Sequence, residues 1–313
     1  MPYVGTKVIL DKANKEYYAV PAFNINNLEF LQAILDGAVA ENAPVIIETS
    51  EGALKYAGNG DPFLGAEIFV AMVKSYAERV PIPVALHLDH GKRLEFIMAA
   101  IKAGYGSVMI DASDKPFEEN LAITKKIVEI AHAAGVAVEA ELGTLAGIED
   151  NVMSAESILV NPDEAEQFVK ETGIDFLAPA IGTSHGAFKF KGEPKLDLER
   201  LREVKRRTGI PLVLHGASSV PEDMVKLANE YGAKLEGVKG VPADLLVETV
   251  KGGINKVNTD TDLRISFLAG LRKYLYENPS KFDPRKYLGE GKKYVTEVVR
   301  ARLKLLGASG KAE

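Results

Sequence analysis

Three histidines stand where apolar, β-like runs give way to small-residue turns: His90 in ALHLDHG, His185 in IGTSHG and His215 in LVLHGAS. The chain has only five histidines in 313 residues, so this placement is a concentrated signal. Three neutral imidazoles without a thiolate can hold Zn²⁺ and still leave coordination positions open for a substrate. Asp89 lies on the strand that His90 terminates, so an acid and a metal ligand can reach one site from adjacent positions.

Composition narrows the chemistry. There is no cysteine, which excludes disulfides, thiolate ligands and a cysteine nucleophile, and makes a reducing cytoplasm the default compartment. The net charge is −6 and no basic run stands out, so nucleic acid is not an expected partner. No stretch approaches the roughly 18 consecutive apolar residues of a membrane span. The first residues, MPYVGTKVILDKANKEY, lack the basic, apolar and small-residue succession of a signal peptide. An apolar content of 46% with 26% charged residues fits a globular protein with a sizeable core. An anionic ligand would have to be attracted locally, by a metal, backbone amides and a few lysines.

The elements that must position the histidines follow from periodicity. Eight apolar, β-rich runs recur at 18–24, 44–50, 83–89, 107–111, 136–142, 175–182, 211–216 and 254–258. Segments with apolar residues at three-to-four spacing separate them, several ending in Gly. Strands alternating with helices, without a Pro/Gly-rich linker, predict a (β/α)8 TIM barrel in a single domain spanning 1–313. Extra helices follow the last strand as a C-terminal extension over about 262–308. Residues 143–161 read as a long loop, and the stretch 234–253 carries an added helix, VPADLLVETV. The final basic amphipathic segment reads most simply as a packed terminal helix.

Side chains alternate along a strand. His87 and Asp89 therefore share a face with Ala85, and Glu139 and Glu141 share one with Ala137. Asp111 aligns with Met109, Glu48 with Ser50, His215 with Val213, and Lys256 with Asn258. The opposite faces are apolar and should pack on helices. The polar faces should line the barrel near its C-terminal mouth, where buried charge is costly unless paired or metal-bound. The competing reading is a set of satisfied buried ion pairs.

Taken together, VPAFNINN, HLDHG, MIDAS, VEAELGTLAGIED, IGTSHG, KGEPKLD, LVLHGAS and KVNTDTDLR cover nearly the whole chain. In these motifs the chain resembles the class II, zinc-dependent ketose-bisphosphate aldolases. The resemblance implies that His90, His185 and His215 are zinc ligands, with Co²⁺ or Fe²⁺ as alternatives. It implies that Asp89 serves the aldehyde oxygen and that Glu149 takes a proton from the ketose-phosphate carbon. Asp111 and Glu141 match positions that hold a second or alternate divalent metal. Gly186 and Gly216, Ala217 and Ser218 match turns that bind phosphate and a monovalent cation. Asn258, Thr259, Asp260 and Thr261 match the other substrate loop, and Ser50 matches a residue at the distal phosphate. Lys189 and Lys191 compete for one phosphate contact, because HGAFKFKGEPK is two residues longer than the usual spacing.

The implied activity is reversible cleavage of fructose 1,6-bisphosphate, with the tagatose epimer as the alternative substrate and a homodimer or homotetramer as the assembly. More remote readings are a Schiff-base aldolase using Lys256 and a non-catalytic phosphosugar-binding protein. His87 and Glu139 read as hydrogen-bonded supports for the ligands, and His132, near a helix C-terminus, has no site role.

Overall fold

The structure, a computed structural model, describes residues 3–144, 146–149, 152–154, 158–185 and 196–313. Its strands are β1 (Val20–Asn24), β2 (Val45–Ser50), β3 (Val84–Gly91), β4 (Ser107–Ile110), β5 (Ala137–Leu142), β6 (Ala146–Glu149), β7 (Val152–Ser154), β8 (Phe176–Pro179), β9 (Ser184–His185), β10 (Leu212–Leu214) and β11 (Ile254–Thr259). Its helices are α1 (Thr6–Glu16), α2 (Leu28–Ala40), α3 (Glu51–Ala57), α4 (Pro62–Ala77), α5 (Leu94–Ala103), α6 (Phe117–Ala133), α7 (Pro162–Thr172), α8 (Leu198–Thr208), α9 (Glu222–Glu230), α10 (Ala243–Lys251), α11 (Thr261–Glu277) and α12 (Pro284–Leu305).

Eight parallel strands close in the order β1-β11-β10-β8-β5-β4-β3-β2, with helices in the connections, which is the (β/α)8 barrel expected. Six barrel strands fall within the apolar runs, while β3 continues past 83–89 to Gly91 and β11 past 254–258 to Thr259. The register follows the pleat: Glu48 pairs with His87, Ser50 with Asp89, and His87 with Ser107, so these side chains share the inner face. Val84, Leu86 and Leu88 point the other way and are fully buried against the helical layer. No described helix is long and apolar enough to cross a membrane.

Local signals set the helix ends. Asp61, Asn161 and Asp283 each accept a backbone N–H at the cap and are followed by Pro at the first helical position. Gly104, Gly173 and Gly209 end helices α5, α7 and α8 in the left-handed conformation. Helix α12 packs on α2 and α11, consistent with the packed terminal helix read from its pattern.

Three features depart from the periodicity. Helix α1 lies across the N-terminal end of the barrel: Val4 donates to the Val84 carbonyl, and Ser107 Oγ donates to Thr6 Oγ1 at 2.6 Å. Helix α3 follows β2 directly, and Ser50 Oγ caps it by accepting from Ala53 N–H. Within the expected long loop at 143–161, β6 and β7 form an antiparallel pair, and β9 adds to β6 in parallel. These strands are too short to show a period; they form a separate three-stranded sheet in the order β7-β6-β9.

Lys205 ties this N-terminal end together. Its ammonium donates to Asn14 Oδ1, the Ile210 carbonyl at 2.9 Å and Asn255 Oδ1 at 2.7 Å. The acceptors are neutral, so burial lowers the Lys205 pKa to about 8. The unfolded chain then binds more protons between pH 8 and the usual lysine value, and folding stability rises with pH across that window. Denaturant unfolding should show wild type gaining about 2 kcal/mol from pH 8 to 10 relative to Lys205→Met. A difference that stays flat with pH would contradict this reading.

Candidate active site

The polar residues inside the barrel lie at two levels. The lower level holds Glu48, His87, Glu139 and Lys256, all fully buried. Lys256 Nζ lies 2.6 Å from Glu48 Oε1 and donates to Glu139 Oε2 at 2.8 Å. Ser107 Oγ gives its hydrogen to Thr6, so at 2.6 Å it accepts from His87 Nδ1–H. That leaves His87 Nε2 without a hydrogen-bond partner among the described residues, 3.5 Å from Glu139 Oε2. Burial, reinforced by the Lys256 charge, drops the His87 pKa to about 3, so this ring is neutral. Burial alone would lower the Lys256 pKa, but the Glu139 and Glu48 carboxylates outweigh it and hold the ammonium above its usual range. A protonated amine is no nucleophile, which disfavours an imine mechanism. At this level the ion-pair reading of the polar faces holds.

The upper level gathers at the strand ends. His90 follows Asp89 with φ +47°, a left-handed conformation that turns its ring over the barrel mouth. Two contacts fix this exit. Glu51 Oε1 accepts the N–H groups of Lys92 and Arg93 at 2.9 and 2.8 Å. A Cβ on Gly91 would stand 2.4 Å from the Met109 carbonyl oxygen, so the G of HLDHG is required by close packing.

His90 Nε2 faces His215 Nδ1 at 2.8 Å, with the two rings edge to face. The outer nitrogen of each ring meets a carboxylate: His90 Nδ1 to Asp111 Oδ2 at 3.1 Å, and His215 Nε2 to Glu139 Oε1 at 2.7 Å. The carboxylates thereby place the remaining ring lone pairs toward one point. Two bare lone pairs this close repel unless a proton or a metal ion lies between them. Burial disfavours charge on both rings. Asp89, Asp111 and Glu141 overcome it at His90, whose pKa is raised, whereas the His90 charge adds to it at His215, whose pKa is lowered.

Asp89 is held from two sides, by Asn24 Nδ2 and Asn258 Nδ2, each at 3.0 Å. Burial would raise its pKa, but His90, His215 and Lys256 outweigh this and keep the carboxylate ionised. Asp111 is likewise held low against burial by His90 and Lys92. Glu141 differs: burial and the Asp111 charge push its pKa up, and its Oε2 is buried with no hydrogen-bond partner among the described residues, 3.7 Å from His215 Nδ1.

Ligand atoms of Asp89, His90 and His215 lie within 4.8 Å of one another, as do those of His90, Asp111 and Glu141. Two converging imidazoles, surrounding acids and an orphaned carboxylate oxygen fit a divalent cation. Glu48, His87 and Asp89 form a third such group, but the Lys256 ammonium already lies against Glu48.

The remaining expected site residues surround this centre or lie outside the described residues. His185 and Glu149 are placed by backbone only, His185 pairing with Gly147 and Glu149 with Val152. Their side chains, and the whole of Gly186, Lys189 and Lys191, lie outside the described residues. Gly216 has φ +60°, and a Cβ there would be 2.5 Å from the Ser184 carbonyl oxygen, so the turns carrying His185 and His215 are in backbone contact. Ala217 and Ser218 are buried, and Ser218 Oγ accepts the Asp260 N–H at 3.4 Å. Asn258 Oδ1 and Thr259 Oγ1 are buried without hydrogen-bond partners among the described residues. Thr261 opens α11, Asp260 pairs with Arg264 at 2.7 Å, and Ser50 caps α3.

Several supports were not singled out from the sequence. Asn24, Glu51, Asp262 and Arg302 are the main ones. Asp262 accepts from Ser219 and Val220 N–H at 3.2 and 2.7 Å and pairs with buried Arg302, which also donates to Ser219 Oγ. This clamp holds Val220, a β-branched residue, at φ +51°. Asn24 and Asp262 lie inside the quoted motifs, so their signal was present; Arg302 sits in a plain amphipathic helix and carries none. The clamp residues Ser219, Asp262 and Arg302, with Met224 and Leu305, also line a cavity of about 800 Å³ that includes none of the histidines.

Residues 4–311 match the family model described as fructose-bisphosphate aldolase class-II. A fructose-bisphosphate aldolase of Helicobacter pylori is 58% identical over 310 residues, covering 98% of both chains. One from Thermus caldophilus is 48% identical over 306 residues, covering 97% of this chain and 98% of the relative. The crystal structure of the YdjI aldolase from Escherichia coli K12 superimposes with a TM-score of 0.80 at 32% identity, covering 99% of this chain and all of that one. The chain belongs to the class-II fructose-bisphosphate aldolase family.

Proposed function

We propose that this chain cleaves fructose 1,6-bisphosphate reversibly into dihydroxyacetone phosphate and glyceraldehyde 3-phosphate, using a divalent metal held by His90, His185 and His215. The observation that carries this reading is the convergence of His90 Nε2 and His215 Nδ1 beside ionised Asp89, each ring backed by a carboxylate. Zn²⁺ suits this imidazole set, and Co²⁺ or Fe²⁺ are accepted by the same donors. When bound, the metal supplies Lewis acidity to the ketone of the substrate.

The chain's own groups move the protons. In cleavage, Asp89 accepts the proton of the β-hydroxyl as the neighbouring carbon–carbon bond breaks and the aldehyde leaves. Glu149 returns a proton to the carbon left on the ketone fragment, and in synthesis the two roles reverse. The two asparagine amides keep Asp89 aimed into the mouth. Backbone amides of the turn Gly216–Ser218, with Gly186, bind one phosphate and a monovalent cation, while Ser50 and the loop Asn258–Thr261 meet the rest of the substrate. Asp111 and Glu141 offer a second divalent site, which the orphaned Glu141 oxygen supports.

We read the chain as one domain acting in the cytoplasm, which the absence of cysteine supports. A homodimer or homotetramer is supported by two exposed aromatic residues, Tyr276 in the last turn of α11 and Phe282 between α11 and α12.

Dialysis against EDTA should abolish cleavage, and added Zn²⁺ or Co²⁺ should restore it; undiminished activity in a sample free of metal by elemental analysis would contradict the reading. Asp89→Ala should keep the metal and lower kcat by about 10²–10⁴-fold. Glu149→Ala should slow exchange of the dihydroxyacetone phosphate proton, measured by NMR in D₂O, and exchange at the wild-type rate would remove Glu149 from its role. The kcat/KM should be higher for fructose 1,6-bisphosphate than for its tagatose epimer, by about ten- to a hundredfold. An equal or reversed preference would reassign the substrate and leave the metal site standing.

A further inference from the structure

Lys256 is the one polar side chain among the largest fully buried groups of the described residues. An ammonium sealed inside a barrel is unfavourable unless its partners compensate. Its contacts are directional. Lys256 Nζ donates to Glu139 Oε2 at 2.8 Å, and the other oxygen of the same carboxylate, Oε1, meets His215 Nε2 at 2.7 Å. Each Glu139 oxygen therefore has a separate task. An ionised carboxylate only accepts hydrogen bonds, so the His215 nitrogen facing it carries the hydrogen and the opposite nitrogen keeps its lone pair. That opposite nitrogen, Nδ1, is the one facing His90 Nε2 at 2.8 Å. Glu48 Oε1 lies 2.6 Å from Nζ, with burial pushing its pKa up against the pull of Lys256, and none of its contacts is with His215.

We propose that Lys256 is a positioning residue for the metal centre: through Glu139 it fixes the ring orientation and tautomer of His215, so that Nδ1 faces the metal. This rests on His215 being a metal ligand. The lysine that an imine mechanism would use as nucleophile is here a fixed cation below the site. Without it, Glu139 loses the donor that orients it, and the nearest remaining ring nitrogen, His87 Nε2, carries no hydrogen to replace it.

The test measures Co²⁺ affinity by its visible absorption, on folded protein verified by circular dichroism. Lys256→Met is combined with Glu48→Gln, so that no extra buried carboxylate is left uncompensated. The double variant should bind Co²⁺ about 10- to 100-fold more weakly than wild type, whereas Glu48→Gln alone should stay within about threefold. Glu139→Gln should weaken binding by a similar factor, and adding it to the double variant should cost little more, because the residues act in series. Wild-type affinity in the folded double variant overturns the proposal. A measurement that needs no variant is the ¹⁵N spectrum of the histidine rings in EDTA-treated wild type: His215 should carry its hydrogen on Nε2, and hydrogen on Nδ1 with Nε2 bare overturns the proposal. His215→Ala separates the two levels of the argument. If it binds Co²⁺ as tightly as wild type, the metal assignment itself fails; if it loses the metal while the Lys256 double variant keeps it, only the positioning role fails.

Discussion

A charge cannot stand alone inside a closed barrel, and most of the interior of this molecule follows from that constraint. Lys256, Glu48 and Glu139 are all fully buried, and each lies within ion-pair distance of an opposite charge. The parallel register forces them inward, because residues two apart on a strand share a face and the neighbouring strands are locked in step. Once inward, they are tolerable only as a set. The lower level is therefore a foundation of mutually compensating charges, and the upper level stands on it through the contact of Glu139 with His215.

The chemistry of the upper level comes from where strands stop. A side chain in mid-strand points at a wall of others, whereas one at the strand exit can be redirected by the turn. His90 uses a left-handed backbone, with Glu51 gripping the amides that follow. Val220 is held in a similar conformation by Asp262 and Arg302. Supports from helices outside the barrel thus stabilise strained turns at its mouth, which is how a rigid scaffold presents a reactive surface.

Much of this was legible in the sequence. The eight strands were readable as apolar, β-rich runs between helical patterns, and several carry a mixed inner face, as in PVALHLD, where Val84, Leu86 and Leu88 oppose His87 and Asp89. Grouping Asp89, Asp111, Glu141 and His215 at one mouth followed from the same alternation, and His90 joined them by its place at the strand exit. Depth within the barrel did not. Glu139 and Glu141 are two residues apart on one face, yet one joins the ion pair with Lys256 and the other reaches the histidine level with an unbonded oxygen. Only the stagger between strands decides that, and no single strand encodes it. Helix α1, with only Thr6, Ile9, Leu10 and Ala13 buried, is too short in apolar pattern to stand out, and Arg302 finds Asp262 across a helix–helix interface.

In the proposed function the metal sits at a single point between His90 Nε2 and His215 Nδ1. Anomalous X-ray scattering at the zinc edge, from crystals of the metal-loaded protein, locates it directly. The expected peak lies at bonding distance, about 2.0–2.1 Å, from both of those nitrogens and from a ring nitrogen of His185. A peak at the lower level, among Glu48, His87 and Asp89, with none between the upper histidines, would contradict it.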